Sequence, residues 1–250
     1  MLANSIKKIA KQLLAELPFA ISKNDAYDRY TKLIIKNYCQ PDSVCIDIGA
    51  NEGKILEWII KYCPLAKHFA FEPIPSLFLA LQNKFALHAW IYPIALSDQK
   101  AETNFNFVFS NPALSGFQKR PFDKKLKEKQ IEVQTDLLDH FIDPNLKITL
   151  LKIDVEGGEM LVLKGAVNTI NNSKPLILFE SGKIGADMYG FTSSTVFQFF
   201  KQEVQYNIYL LKDWLALQQP LSDTQFDQFF ENGKEYFFLA APIDIAIEIG

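Results

Sequence analysis

Cysteine is scarce in this 250-residue chain, which has only Cys39, Cys45 and Cys63. The three form no C-x-x-C pair and are odd in number, which argues against a disulfide framework. Because two of them lie within an apolar pattern, we expect all three to be reduced and packed as small, buried hydrophobic side chains. Reduced cysteines favour a cytoplasmic location.

A surplus of basic charge and a long apolar run are also missing. The formal net charge is -3 and the pI is about 5.7, so we expect no nucleic-acid partner. No run is long and uncharged enough for a membrane span. Residues 6–17 lack the apolar core and the cleavage site of a signal peptide, since charged residues interrupt them at Lys7, Lys8, Lys11 and Glu16.

The glycine-rich motif of dinucleotide-binding proteins, G-x-G-x-x-G, is absent as well. Residues 44–53 read VCIDIGANEG, which predicts a buried strand, a tight turn and a helix that follows. Gly49 and Gly53 allow the backbone to approach a ligand closely. Glu52 in this turn would repel a pyrophosphate but suits a positively charged nucleoside, and S-adenosylmethionine is one. The alternative is an ordinary strand-to-helix turn.

Acids follow several other apolar runs. The runs 68–71, 148–153 and 175–179 are predicted strands, and Glu72, Asp154 and Glu180 follow them. Strands that alternate with helices predict an α/β, Rossmann-like fold with a mostly parallel sheet and a ligand crevice at the carboxyl ends. Glu72 is placed to accept hydrogen bonds from the hydroxyls of a ribose, or else it is an acid at the start of the helix 74–83.

The predicted strand 88–96 closes with a hydroxyl and an acid. Ser97 and Asp98 could hydrogen-bond the edge of an adenine, or they could form a plain turn. The other predicted elements are helices over 4–17, 27–38, 160–170, 196–200 and 225–231, a strand with a loop over 101–135, and strands over 206–211 and 235–240. We divide the chain into an N-terminal helical extension, residues 1–40, and one domain, residues 41–250.

Two segments are candidates for contact with a partner. The apolar stripe of helix 4–17 predicts packing on its own domain or on a second subunit of a homodimer, and a membrane surface is the alternative. Residues 119–129 collect six basic side chains against Asp123 and Glu128. This basic segment is either a solvated face or a docking patch for an anionic acceptor.

The ordered motifs resemble those of the FkbM family of S-adenosylmethionine-dependent methyltransferases. They are IDIGANEG (46–53), FEP (71–73), ALSD (95–98), LKIDVEGGE (151–159) and Glu180, and the resemblance covers about residues 40–185. It implies a class I methyltransferase sheet of seven strands with the last antiparallel, and methyl transfer to oxygen, often on a sugar. It also assigns the methionine part of the cofactor to Asp47, Gly49, Asn51 and Gly53, the ribose to Glu72, and the adenine to Ser97 and Asp98.

Asp154, Glu156 and Glu180 are our candidates for catalysis, as bases that take the proton of an alcohol acceptor. The alternative is that the same three carboxylates hold a magnesium ion. His88 and His140 are more consistent with structural roles. The acceptor is expected to be a small molecule or a glycan. Two other classes remain open: a nicotinamide-dependent oxidoreductase, and a scaffold that binds S-adenosylmethionine without catalysis.

Overall fold

The computed structural model describes residues 22–119 and 127–245, and these contain ten strands. In chain order they are β1 Val44–Ile48, β2 His68–Phe71, β3 Ala89–Tyr92, β4 Ile94–Leu96, β5 Ala101–Val108, β6 Glu128–Asp136, β7 Ile148–Ile153, β8 Leu176–Glu180, β9 Tyr206–Leu210 and β10 Phe237–Pro242. Seven of them form one sheet in the order β3-β2-β1-β7-β8-β10-β9. Strand β10 is antiparallel to both of its neighbours, and the other pairs in this sheet are parallel. The expected seven-stranded sheet with an antiparallel last strand is confirmed.

Helices connect the strands. They are α1 Lys23–Tyr38, α2 Lys54–Tyr62, α3 Pro75–Phe85, α4 Glu159–Lys164, α5 Val167–Ser173, α6 Lys183–Asp187, α7 Ser193–Gln198, α8 Leu211–Leu215 and α9 Asp223–Asn232, and a π-helical turn, Phe199–Glu203, continues α7. Among residues 22–119 and 127–245, no helix combines the length and the apolar content needed to cross a bilayer.

The central strands are apolar on both sides of the sheet. Ile46, Leu151 and Ile177 face one apolar layer, whereas their neighbours Cys45, Leu150 and Leu178 face the other. Side chains of a strand alternate between its two faces, so a continuous apolar run buries both. This burial leaves the strand ends as the place where polar side chains of the sheet gather.

The predicted strand 88–96 is wrong in one respect, because it is two strands. Pro93 separates β3, at the edge of the main sheet, from β4, which pairs with β6 in a second sheet of three strands. Proline has no backbone N–H to donate to a ladder, which explains the break. The prediction for 101–135 missed β6, which pairs antiparallel with β5 and in which Ile131, Val133 and Thr135 alternate with polar residues.

Two helix predictions also need correction. The single helix 160–170 is divided into α4 and α5 at Gly165, where a Cβ atom would lie 2.0 Å from the carbonyl oxygen of Ser97. Helix α1 starts at Lys23, earlier than the expected Tyr27, because Ser22 and Asp25 form a capping box there.

The predicted helix 4–17, with its proposed homodimer contact, and residues 120–126 of the basic segment lie outside the described residues. At the ends of that segment, Lys119 forms an ion pair with Glu128. The boundary between the extension and the main domain at residue 40 stays a prediction.

Candidate active site

A tight turn follows β1 at the carboxyl edge of the sheet. The backbone N–H groups of Gly49 and Ala50 both donate to the carbonyl of Phe71, at 3.0 and 3.1 Å. Gly49, Asn51 and Gly53 have φ angles of 70°, 50° and 79°, in the left-handed region. Two of these three positions are glycine, which pays the smallest steric cost there. The turn therefore lies directly beside the end of β2.

We expect Gly49→Ala to destabilise the fold by about 1–3 kcal/mol more than Gly190→Ala. Both glycines have φ near 70°, so both variants carry the same left-handed strain. A Cβ on Gly49 would lie 1.9 Å from the carbonyl oxygen of Asp154, whereas one on Gly190 would meet nothing within 4 Å. Urea unfolding of both variants measures the difference. Equal losses would contradict the close packing of this turn against the end of β7.

Glu72 joins the turn to the next strand end. This side chain is buried, and its Oε2 accepts a hydrogen bond from the N–H of Asn51 at 2.8 Å. Its Oε1 accepts from the N–H of Ile74 at 2.9 Å, just before α3. Burial raises the pKa of Glu72, although these two hydrogen bonds oppose the shift. Glu72 can therefore serve both roles considered for it. It accepts a hydrogen bond from the backbone at the start of α3, and each carboxylate oxygen keeps a lone pair for a ribose hydroxyl.

Lys152 is the main site residue that our sequence reasoning missed. Its Nζ is buried in β7, donates to the carbonyls of Gly49 and Ile48 at 2.8 and 3.2 Å, and lies 3.1 Å from Oδ1 of Asp47. Burial lowers the pKa of Lys152, but the charges of Asp47 and Asp154 outweigh it and the pKa is raised overall. A lysine inside the apolar run ITLLKI was the available signal, because a buried charge requires a partner.

Asp47, which the resemblance assigns to the methionine part of the cofactor, lies beneath the glycine turn. Its carboxylate is fully buried beneath the turn and forms an ion pair with Lys152, without an aligned hydrogen bond to either oxygen among the described residues. Asp47 therefore stabilises the turn through its ion pair with Lys152. Its direct contact with a ligand stays a prediction.

Asp154, Glu156 and Glu180 come together as expected. One carboxylate oxygen from each lies within 4.8 Å of the others, because the parallel strands β7 and β8 end side by side. The turn after β7 adopts left-handed φ angles at Glu156 (62°) and Gly157 (106°). Burial, followed by the charges of Asp154, Glu156 and Glu159, raises the pKa of Glu180 well above its ordinary value. The raised pKa favours the protonated form of Glu180 next to Asp154 and Glu156.

Glu159 hydrogen-bonds the backbone of the same turn. Its Oε1 accepts from the N–H groups of Val155 and Gly157 at 3.0 and 3.1 Å. Burial raises its pKa to about 7. A carboxyl whose pKa is higher in the folded state stabilises the fold fully below the pKa of the unfolded chain, and this contribution is lost as the pH rises through the folded pKa.

We expect the free energy of unfolding of the wild type to fall between pH about 4.5 and about 7, by up to about 3 kcal/mol from Glu159 alone. Glu159→Gln keeps an acceptor for both N–H groups and cannot ionise, so its stability should change less over this range. Urea unfolding of both proteins at several pH values gives the difference. Parallel curves would mean that Glu159 is not the carboxyl that titrates here.

A cleft of about 310 Å³ opens beside this cluster. Its charged and aromatic lining comprises Glu159, Glu180, Lys183, Phe230, Glu231 and Tyr236. Lys183 and Glu231 form an ion pair at 3.3 Å, and Glu180 connects the cleft to the carboxylate cluster.

Ser97 and Asp98 lie elsewhere than expected, since they follow β4 of the small sheet and not a strand of the main sheet. Ser97 is buried; its N–H donates to the carbonyl of Asp136 at 2.9 Å, and its hydroxyl lies 3.3 Å from Oδ1 of Asp98. Their contact with an adenine stays a prediction.

Comparison with known proteins decides the family. Residues 47–210 match the model of the methyltransferase FkbM domain, a range that contains the glycine turn, Glu72 and the carboxylate cluster. The chain belongs to the FkbM methyltransferase family. Its sheet order and antiparallel β10 are those of the class I methyltransferase fold, as the motifs implied.

Individual relatives of this chain agree with that assignment. Methyltransferase 1 of Beauveria bassiana is 32% identical over 146 residues, which are 50% of this chain and 58% of that protein. The 2-O-methyltransferase NoeI of Sinorhizobium fredii is 27% identical over 180 residues, 66% of this chain and 74% of that protein. The crystal structure of the methyltransferase FkbM from Methylobacillus flagellatus, at 18% identity, has a TM-score of 0.51 over 81% of this chain and 44% of that chain. The chain therefore spans less than two thirds of the first relative and of that structure.

Proposed function

We propose that this FkbM methyltransferase binds S-adenosylmethionine between the glycine turn and Glu72 and methylates a hydroxyl group of a sugar or another polyhydroxylated acceptor. One observation carries the cofactor site: Glu72 is anchored to the turn through Asn51 and still offers a lone pair on each oxygen. Two adjacent hydroxyls of a ribose suit such a carboxylate.

The residues around the turn fit this cofactor. S-adenosylmethionine would supply an electrophilic methyl group on a positively charged sulfur. Gly49 and Gly53 keep side chains out of the turn, and the carboxylates of Glu72 and Asp154 give the edge a negative charge that suits a sulfonium. Asn51, with a left-handed φ of 50°, offers its amide side chain to the methionine part.

Asp154 and Glu180 account for the proton chemistry. We assign the acceptance of the hydroxyl proton to Asp154, because burial and neighbouring charges raise the pKa of Glu180 and make it the weaker candidate; Glu156 adds to the negative field. A magnesium ion on the same three carboxylates is the alternative, and it would lower the pKa of the hydroxyl instead. We favour the base, since a carboxyl group with a raised pKa can lie close to other carboxylates without a cation.

The acceptor would occupy the cleft beside Glu180. Lys183, the lysine that lines it, is already paired with Glu231 at 3.3 Å, which favours a neutral, hydroxyl-rich acceptor over an anionic one. Tyr236 lines the same cleft and can lie against the apolar face of a sugar ring. The 2-O-methyltransferase activity in the name of the relative NoeI supports transfer to oxygen. A cytoplasmic location and a homodimer remain further expectations of ours.

Product analysis tests the acceptor class. The protein is incubated with S-adenosylmethionine and with three sets of acceptors: neutral glycosides, sugar phosphates and primary amines. We expect S-adenosylhomocysteine and a methyl ether to form in equal amounts with a neutral glycoside. Transfer to amines alone would contradict the proposal, and a preference for sugar phosphates would restore the role of the basic segment 119–129.

A further inference from the structure

The three cysteines of the chain meet at the end of β1 opposite the glycine turn. Cys39 ends α1, Cys45 is the second residue of β1, and Cys63 ends α2. Their Sγ atoms all lie within 4.8 Å of one another, and the Sγ atoms of Cys39 and Cys45 are 3.9 Å apart. None of the three is more than 6% exposed. We call these residues the thiol cluster.

We propose that the thiol cluster binds one soft d¹⁰ cation, Zn²⁺ or Cu⁺, through three thiolates. Nothing in the proposed methyl transfer uses this site. Thiolates select such cations over the hard Mg²⁺ and Ca²⁺. Each thiol would release its proton to solvent when it becomes a ligand.

The spacing of the sulfur atoms fits a shared metal ion. With metal–sulfur bonds of about 2.3 Å, two ligands of a trigonal or tetrahedral centre are separated by about 3.8–4.0 Å. The 3.9 Å between Cys39 and Cys45 already meets this value, and the other two pairs, within 4.8 Å, need side-chain shifts of less than about 1 Å. Ordinary apolar packing does not require three sulfur atoms in mutual contact.

Backbone contacts hold the members of the thiol cluster in place. Cys39 and Cys63 cap the carboxyl ends of helices α1 and α2. His68, fully buried, hydrogen-bonds the carbonyl of Cys63 at 3.0 Å and accepts the N–H of Cys45 at 3.3 Å. These two bonds fix the backbone of two of the three ligands, as partners of metal ligands commonly do.

An ion could reach the thiol cluster through the loops that cover it. The loops after α1 and α2 meet where the N–H of Leu65 donates to the carbonyl of Pro41 at 2.9 Å, and Leu65 itself is 77% exposed. Once bound, the ion would tie the ends of both helices to β1, which carries Asp47 and the glycine turn at its other end. We therefore expect the metal to stabilise the fold and not the reaction.

The test uses the reduced, metal-free protein and needs no cofactor. Zn²⁺ and, anaerobically, Cu⁺ are titrated separately in competition with a chromophoric chelator. We expect one of them to bind with a stoichiometry of one ion per chain and to raise the melting temperature. At a free metal concentration 100 times Kd, alkylation of the three thiols should slow by about 100-fold, because the metal suppresses the open state by that factor. Unchanged alkylation of the wild type with both metals would overturn the proposal.

Variants assign the site. Cys39→Ser and Cys63→Ser each remove one ligand at the end of a helix, and we expect at least one of them to fold and both to lose stoichiometric binding. The double variant His88→Ala/His140→Ala removes the remaining imidazoles outside the thiol cluster and should keep it. Binding that persists in a folded cysteine variant but disappears in the histidine variant would contradict the proposal.

Discussion

Lys152→Met should lower the free energy of unfolding by about 3–5 kcal/mol. The substitution keeps the length and apolar character of the side chain but leaves the carboxylate of Asp47 buried without its 3.1 Å partner. The carbonyls of Gly49 and Ile48 lose a donor at the same time. Urea unfolding, followed by circular dichroism, measures the loss.

Two further proteins separate the ion pair from general effects of the substitution. Lys61→Met, at an exposed position of α2, should stay within about 0.5 kcal/mol of the wild type. The double variant Asp47→Leu/Lys152→Met should be more stable than Lys152→Met alone, since an apolar pair can replace a buried ion pair at little cost. A double variant that is less stable than Lys152→Met would argue against a direct interaction.

Asp154→Asn should reduce kcat about 10²–10⁴-fold, the usual contribution of a general base. The amide keeps the shape of the side chain but cannot take the proton of the acceptor. Because Glu72 makes the proposed ribose contact and Asp154 only adds negative charge near the sulfonium, the Kd for S-adenosylmethionine should rise far less than kcat falls. The measurement is the rate of S-adenosylhomocysteine formation with an acceptor identified in the product screen.

A control and a chelator complete this experiment. Asp42→Asn, at an exposed position before β1, should keep the wild-type kcat. If Asp154 acts as a base, EDTA should leave the wild-type rate unchanged, and a loss of activity that Mg²⁺ restores would favour the metal alternative. An unchanged kcat in Asp154→Asn would exclude both roles for this carboxylate.

The sequence predicted the strands best where the residues of the strand itself determine its structure. Buried runs such as His68–Phe71 and Ile148–Ile153 appear as strands with the predicted bounds, because uninterrupted apolar residues suit a sheet covered on both faces. The meeting of Asp154, Glu156 and Glu180 was also predictable, since parallel neighbouring strands end at one edge.

The features that the sequence analysis missed share a physical cause, which is pairing between residues distant in the chain. The ion pair between Asp47 and Lys152, which we did not predict, depends on the alignment of β1 with β7, in which these two residues lie opposite each other. Strand β6 is stabilised by its long antiparallel ladder with β5 and not by its own polar composition. The sequence shows Pro93, but it does not show that β4 pairs with β6 in a second sheet.

Calorimetric titration with S-adenosylmethionine and, separately, with NAD tests the proposed cofactor site at the glycine turn and Glu72. The wild type should bind S-adenosylmethionine and not NAD. Glu72→Gln should weaken this binding about 10- to 100-fold, since the amide group cannot satisfy both backbone donors and both ribose hydroxyls. Glu57→Gln, an exposed glutamate of α2 that pairs with Lys84, should bind like the wild type. Binding of NAD alone, or equal affinities of Glu72→Gln and Glu57→Gln for S-adenosylmethionine, would contradict the account.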